Sequence, residues 1–448
     1  MAAAVLTAGF SSCSNDEGDG PGMGEEAMVK ITIPTPQTYA DANATANETR
    51  FNTADIFVYN GGTLETHKPL SASDFTQGTN GWEMTTPIVI QSGSKNIYVG
   101  LNLTAADVTA VQSGLYAPYT VGSNYAAIKS IIEATNTKGN AMFSVNDPTV
   151  DPQTGNTNNT FAITTGAVNS IQVKVERWAA KVTTRVSSTI NPGIPSAAIG
   201  SFSFAMGNVN TQMYPFQKLL SSGVVEDPNW DWTGKSPADF LADSKVAFVN
   251  EFGGNYPNIN ASAYTVADAD NTLAPNRQVK YVTENTTKEP KQGDVTYVSV
   301  RAEFTPNAYH TYDGSNISVV TSPGSVPANL YVVETATGEV YYFQNQTEAD
   351  DYALAIGSKV GHYRDGLCYY FIWLDPNKGT SPASPANVYG SIRNFFYDTR
   401  ITKVNSLGYP DPEEPDPNKP LPKDSELEVE ILIQDWVPVT LDSELGKI

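Results

Sequence analysis

Two residues in this sequence invite chemistry, and in both cases the chain is the substrate. Cys13 follows a short apolar stretch, Ala2-Ala3-Ala4-Val5-Leu6-Thr7-Ala8-Gly9-Phe10, and two small residues, Ser11-Ser12. The stretch is too short to span a bilayer, and its close in small residues before a lone thiol reads as a lipoprotein signal segment over residues 1–13. The positively charged start of such segments is absent, so this reading expects the true start codon to lie upstream of Met1. Acyl chains on Cys13 would hold a precursor at the outer membrane, because two or more chains anchor where one is marginal. The plain alternative is an ordinary signal peptide with an incidental cysteine. Residues 14–27, opening Ser14-Asn15-Asp16-Glu17-Gly18-Asp19-Gly20, are Gly-rich and acidic and read as a disordered tether.

The second residue is Arg50, the only Lys or Arg between Ile31 and His67. It lies in Ala46-Asn47-Glu48-Thr49-Arg50-Phe51, which reads as a polar loop open to a trypsin-like protease. A cut there would release the N-terminus together with any strand before it.

Chemistry done by the chain itself is hard to find. The three histidines, His67, His310 and His362, have no partner at metal-ligand spacing, and no nucleophile elbow, phosphate loop, zinc-protease or dinucleotide motif occurs. Cys368 sits in the apolar run Gly366-Leu367-Cys368-Tyr369-Tyr370-Phe371 and reads as a small buried hydrophobe. Asp227-Pro228-Asn229-Trp230-Asp231 lacks the ordered ligand spacing of a calcium loop and reads as a turn. The expectation is no catalytic residue, no cofactor and no metal. Nucleic acid is excluded as a partner by 27 basic residues against 48 acidic, a formal charge of -21, with no basic run to bind phosphate.

The elements that must position Cys13 and Arg50 are strands. A length of 448 residues suggests two or three domains at ~100–200 residues each. A charged fraction of 17% and 23 tyrosines favour strands and turns over long helices. Residues 28–34 alternate, with Val29, Ile31 and Ile33 on one face. Further strands are expected at 55–59, 87–91, 96–103, 295–304, 330–333 paired with 339–343, 368–374 and 396–404. Short helical insertions fit 125–134, where Ile128, Ile131 and Ile132 share a face, and the starts at Ser236-Pro237 and Thr347-Glu348. In Ile171-Gln172-Val173-Lys174-Val175-Glu176-Arg177-Trp178-Ala179-Ala180-Lys181-Val182 the inward phase passes from odd to even positions, as where a strand leaves one sheet for another. The resulting division is an N-terminal β-sandwich over 28–176, a second over 177–408, a proline-rich linker over 409–426, and a C-terminal strand within 427–448 carrying Leu427, Val429, Ile431 and Ile433 on one face.

Two end strands set off by linkers, with a cuttable residue after the first, suggest an exchange. Loss of 28–34 would open a groove lined by unpaired edges, and the tail of another copy could fill it. Four apolar side chains at roughly 1.5–3 kcal/mol each would contribute on the order of 6–12 kcal/mol before ordering costs. Head-to-tail insertion does not close, so it builds a filament. The alternative is that both strands complete their own domains.

Several runs carry a family resemblance. Gly366-Leu367-Cys368-Tyr369-Tyr370, then Tyr389-Gly390-Ser391-Ile392-Arg393-Asn394-Phe395-Phe396-Tyr397-Asp398, then Leu407-Gly408-Tyr409-Pro410, a proline-rich gap and a strand reaching Trp436 resemble the C-terminal domain of Bacteroidales fimbrillins, the type V pilins. Val175-Glu176-Arg177-Trp178-Ala179-Ala180-Lys181-Val182 is similar to their interdomain segment, and Tyr297-Val298-Ser299-Val300-Arg301-Ala302 to a strand of their second domain. The resemblance implies an all-β fold of two tandem transthyretin-like sandwiches, lipidation at Cys13, cleavage by an arginine-specific protease at Arg50, removal of the strand bearing Val29, Ile31 and Ile33, and polymerisation through 427–439 as donor strand. It implies partners in other copies of the chain, in anchor and tip subunits, and in host or bacterial surface ligands. Arg393 and Asn394 read as structural. A stalk subunit of a cell-surface fimbria is favoured because both end strands are present. Other readings are an accessory or tip subunit, or a surface glycan-binding lipoprotein using Trp230 and Trp232.

Overall fold

The computed structural model describes residues 24–34, 48, 50–79, 81–132, 139–146, 159–192, 194, 196–221, 223–230, 248–253, 258–270, 277–288, 290–320, 326–375, 389–412, 419–421 and 427–435. The fold is all-β with short helices.

In the N-terminal half, two sheets face each other. One runs in the order Val168–Gln172, Glu26–Ile33, Gly81–Met84, Phe75–Gly78, with Ile88–Gln91 also paired to Glu26–Ile33. The other runs Val175–Arg177, Met142–Ser144, Gly93–Leu101, Thr53–Asn60, Thr63–Ser71, with Thr160–Ile163 paired to Gly93–Leu101. Val29, Ile31 and Ile33 from the first sheet and Ile56, Val58, Ile97 and Val99 from the second form one core. The run Ile56-Phe57-Val58-Tyr59 is apolar without alternation because both faces of its strand are covered. Ile56 and Val58 face that core, while Phe57 and Tyr59 join a second one with Trp178, Ile128 and Phe216.

The phase change near Glu176 has a structural counterpart. Val175–Arg177 pairs with Met142–Ser144, and after Trp178 and Ala179 the chain enters Ala180–Pro192, which pairs with Val279–Val282 and Phe395–Val404. Trp178 is buried at this crossing and donates its indole N–H to the Pro215 carbonyl at 3.0 Å. Arg393 is buried beside it, forked onto Glu284 and donating to the carbonyls of Tyr214 and Pro215. Asn394 is left-handed at φ 64°, the turn that feeds Phe395–Val404.

The C-terminal half packs the sheet containing Ala180–Pro192 and Phe395–Val404 against Ala197–Gly207, Tyr297–Pro306 and Leu367–Trp373. A further sheet accompanies these: the hairpin of Asn329–Glu334 and Val340–Phe343 lies in a separate five-stranded sheet with Tyr309–Tyr312, Ile317–Val320 and Val360–Arg364. The helix Gln346–Ile356, capped by Asn345 and not by Thr347, covers it through Ala349 and Ala353. The helix Tyr125–Ile132 forms as expected, and a second, Ala105–Ser113, starts at an unanticipated Thr104 cap. The start at Ser236 lies outside the described residues.

Candidate assembly site

The strand Glu26–Ile33 forms because its apolar side chains recur every second residue, the period of a pleated strand with one wet face. It begins at Glu26, inside the stretch read as tether. Ala27, Val29, Ile31 and Ile33 are buried, the last three at 0%, 0% and 1% exposure. Neighbours flank it on both sides. Met28 to Thr32 pair in parallel with Val168 to Gln172. On the other side Glu26 to Val29 run antiparallel to Gln91 to Ile88, and Thr32 and Ile33 to Glu83 and Trp82. Taking this strand away would therefore expose two rows of backbone donors and acceptors and the wall of the core.

Arg50 is half-buried, and its carbonyl is tied to the body of the fold. The Asn102 side chain, held at φ 55°, spans the bond after it: Nδ2 donates to the Arg50 carbonyl at 2.7 Å and Oδ1 accepts from the Asn52 N–H at 2.9 Å. Phe51 is buried edge-on to Phe75 and Trp82, at centroid distances of 5.1 and 5.3 Å. Two residues before Arg50, Glu48 reaches into the C-terminal half. Its carboxylate lies 2.9 Å from Lys181 Nζ and accepts from the Tyr281 hydroxyl, and its carbonyl accepts from Arg177 Nε at 3.3 Å. Glu48 and Lys181 are 1% and 2% exposed. A protease needs an extended, accessible segment, so cutting here requires this clasp to open.

The tail strand, Leu427–Asp435, lies on its own chain, antiparallel to Phe395–Val404, with Val429 opposite Ile401 and Ile433 opposite Tyr397. It takes the edge of the order Asp268–Ala269, Ala180–Pro192, Phe395–Val404, Leu427–Asp435. Among the described residues it pairs along one side only. The preceding linker is docked at both ends: Tyr409 exchanges two hydrogen bonds with Tyr369, Asp411 meets Arg364 at 3.0 Å, and the Lys419 carbonyl accepts from the Gln292 N–H at 2.9 Å. The set-apart tail of the sequence reading is thus a docked edge strand.

Cys13, Asp231, Trp232 and Trp436 lie outside the described residues. Asp227 is a buried turn residue whose carboxylate accepts from the N–H groups of Asn229 and Thr286 and from Asn210 Nδ2; burial raises its pKa well above the ordinary value. His67 stacks on Phe57 and bonds Asp55, His310 accepts from the Tyr342 N–H, and Cys368 is buried. Sequence reasoning missed Glu48 and Asn102. A lysine inside the apolar run at Lys181 was the available signal for a buried acidic partner, but nothing local named Glu48.

Comparison with known proteins adds a second line. Residues 361–442 match the family described as major fimbrial subunit protein type IV, fimbrillin, C-terminal. Over 471 aligned residues the chain is 25% identical to the minor fimbrium subunit Mfa1 of Porphyromonas gingivalis, covering 93% of this chain and 89% of that protein. Similar solved structures include a fimbrilin from Porphyromonas gingivalis W83, with TM-score 0.48 and 13% identity over 93% of this chain and 99% of that one. Another is the C-terminally truncated tip fimbrial protein Mfa3 of Porphyromonas gingivalis, with TM-score 0.38 and 12% identity over 92% of this chain and 100% of that one. In its C-terminal segment this chain matches the fimbrillin C-terminal family, and over 93% of its length it is similar to a minor fimbrium subunit.

Proposed function

We propose that the chain is a structural stalk subunit of a cell-surface fimbria that supports adhesion, and that it is not an enzyme. It is delivered as a lipoprotein through Cys13 and matured by cleavage after Arg50. The leading strand then departs, and the tail strand of another copy takes its place, extending a filament between anchor and tip subunits.

The observation that carries this reading is the asymmetry between the two end strands. The leading strand is paired on both sides and seats its apolar side chains in a core, whereas the tail strand sits at an edge. A tail moved from that edge into the vacated slot exchanges one ladder for two and gains an apolar wall, which gives the transfer a direction. Because donor and slot lie on different copies, the contact is heterologous and propagates.

The test is N-terminal sequencing of protein recovered from the cell surface, together with gel analysis of protease-treated chain. A start at Phe51 and a ladder of multimers are expected. A chain lacking 427–448 should remain a folded monomer under the same treatment. Surface protein with Cys13 retained throughout, or ladders that persist without the tail, would overturn the proposal.

A further inference from the structure

We infer that the tail enters the slot in the same direction as the strand it replaces, with Val429, Ile431 and Ile433 of one copy in the seats of Val29, Ile31 and Ile33 of the next and Leu427 in that of Ala27. This rests on the strand-exchange reading above and adds the polarity and register of the joint.

The seats are closely defined. The leading strand, EAMVKITI, buries alternate positions beginning at Ala27, and the tail strand, LEVEILIQD, has the same spacing of apolar residues beginning at Leu427. Laid in the same direction, three of the four seats receive an identical side chain, and only the Ala27 seat, at the start of the strand, receives a larger one. Laid in reverse, Ile433 falls at Ala27, Ile431 at Val29, Val429 at Ile31 and Leu427 at Ile33. Every seat then changes shape, one losing a methylene and others gaining bulk. A core packed at crystal-like density resists both changes.

The backbone points the same way. Parallel and antiparallel ladders place their donors and acceptors differently, and the slot has one wall of each kind. Three fixed donors mark where carbonyls are required: Ser92 N–H reaches the Glu25 carbonyl at 2.8 Å, Asn169 Nδ2 the Met28 carbonyl at 3.0 Å, and Val173 N–H the Thr32 carbonyl at 3.0 Å. A tail running in the same direction supplies the carbonyls of Glu428 and Leu432 at the second and third of those places. Its outward positions are Glu428, Glu430 and Leu432, where the leading strand has the exposed Met28 and the half-buried Lys30 and Thr32. The linker of the donor copy then leaves the slot beside Gln91 and Ser92, which fixes the polarity of the filament.

Cysteine trapping tests this in the processed full chain. Val89 pairs with Met28 and is 56% exposed, so V89C leaves the core intact. Cys13 departs with the cleaved segment and Cys368 is buried. V89C combined with E428C should give an oxidised intermolecular cross-link in the multimers, and V89C with E430C or L432C should give none. A dominant link through L432C would mean reverse entry, and one through E430C a slip of two residues. Either result, or multimers with no link in any of the three, overturns the inference while leaving strand exchange standing. Failure of the processed wild-type chain to form multimers removes the exchange reading itself.

Discussion

Replacing Glu48 by Gln tests whether the clasp guards the bond after Arg50. Glu48 and Lys181 form an ion pair at 2.9 Å with both side chains almost fully buried, and the Tyr281 hydroxyl donates to the same carboxylate. Removing one member of a buried pair costs about 3–5 kcal/mol, because the remaining charge loses its counterion in a poorly solvated site. That cost falls only on the state in which residues 48–50 are docked, since the lifted segment has already withdrawn Glu48 from Lys181. Docking therefore weakens by the same amount. When opening and closing are fast relative to cleavage, the cutting rate follows the open population. At 1.36 kcal/mol per decade, cleavage after Arg50 should rise by roughly a hundredfold to a few thousandfold. The assay is limited proteolysis with a dilute trypsin-like enzyme, read by intact mass at the Arg50–Phe51 bond, alongside urea denaturation. An E48Q chain that is destabilised in urea yet cut after Arg50 at the wild-type rate refutes the reasoning. Asn102→Ala should accelerate the same cut less, by the ~1–3 kcal/mol expected for leaving buried backbone groups without their partner.

Three further outcomes are expected. Ile31→Ala should destabilise the unprocessed chain by about 2–4 kcal/mol in urea melts and leave the chain that begins at Phe51 unaffected, while Ile431→Ala should weaken the multimer and spare the monomer. Arg393→Met should cost about 3–5 kcal/mol of folding stability, because it strands the buried Glu284 carboxylate 2.9 Å from where the guanidinium stood; a urea midpoint within error of wild type would contradict the buried pair. Asp294 is raised by burial from 3.8 to about 7, with the Lys291 N–H and Thr287 hydroxyl pulling the other way. Its folded form therefore holds a proton that the unfolded chain has released between those values, so its contribution to stability falls as pH rises from about 4 to 7, by at most ~1.4 kcal/mol per unit. Asp294→Asn should remove that slope from urea melts taken at pH 5 and 7.5.

What the sequence determined by itself was whatever is local and periodic. Alternation every second residue located Glu26–Ile33 and Leu427–Asp435, because a strand with one apolar face writes that period into its residues, and a continuous apolar run located Leu367–Trp373. The phase slip near Glu176 was legible for the same reason, since a chain that changes sheets must change which face is buried. The five-stranded sheet that takes Asn329–Glu334 away from the sandwiches was not legible, because pairing partners are set by packing and not by period. Nor was the run at Ile56-Phe57-Val58-Tyr59 recognisable as the strand shared by two cores, since the second covering, from Trp178 and Phe216, comes from far along the chain. The candidate site divides in the same way. Arg50 stood out as a lone basic residue, but only the tertiary structure decided that its bond is clipped by Asn102 and held down by Glu48. Those contacts join residues 52 and 133 positions apart, and no local pattern can encode a partner whose proximity is created by folding.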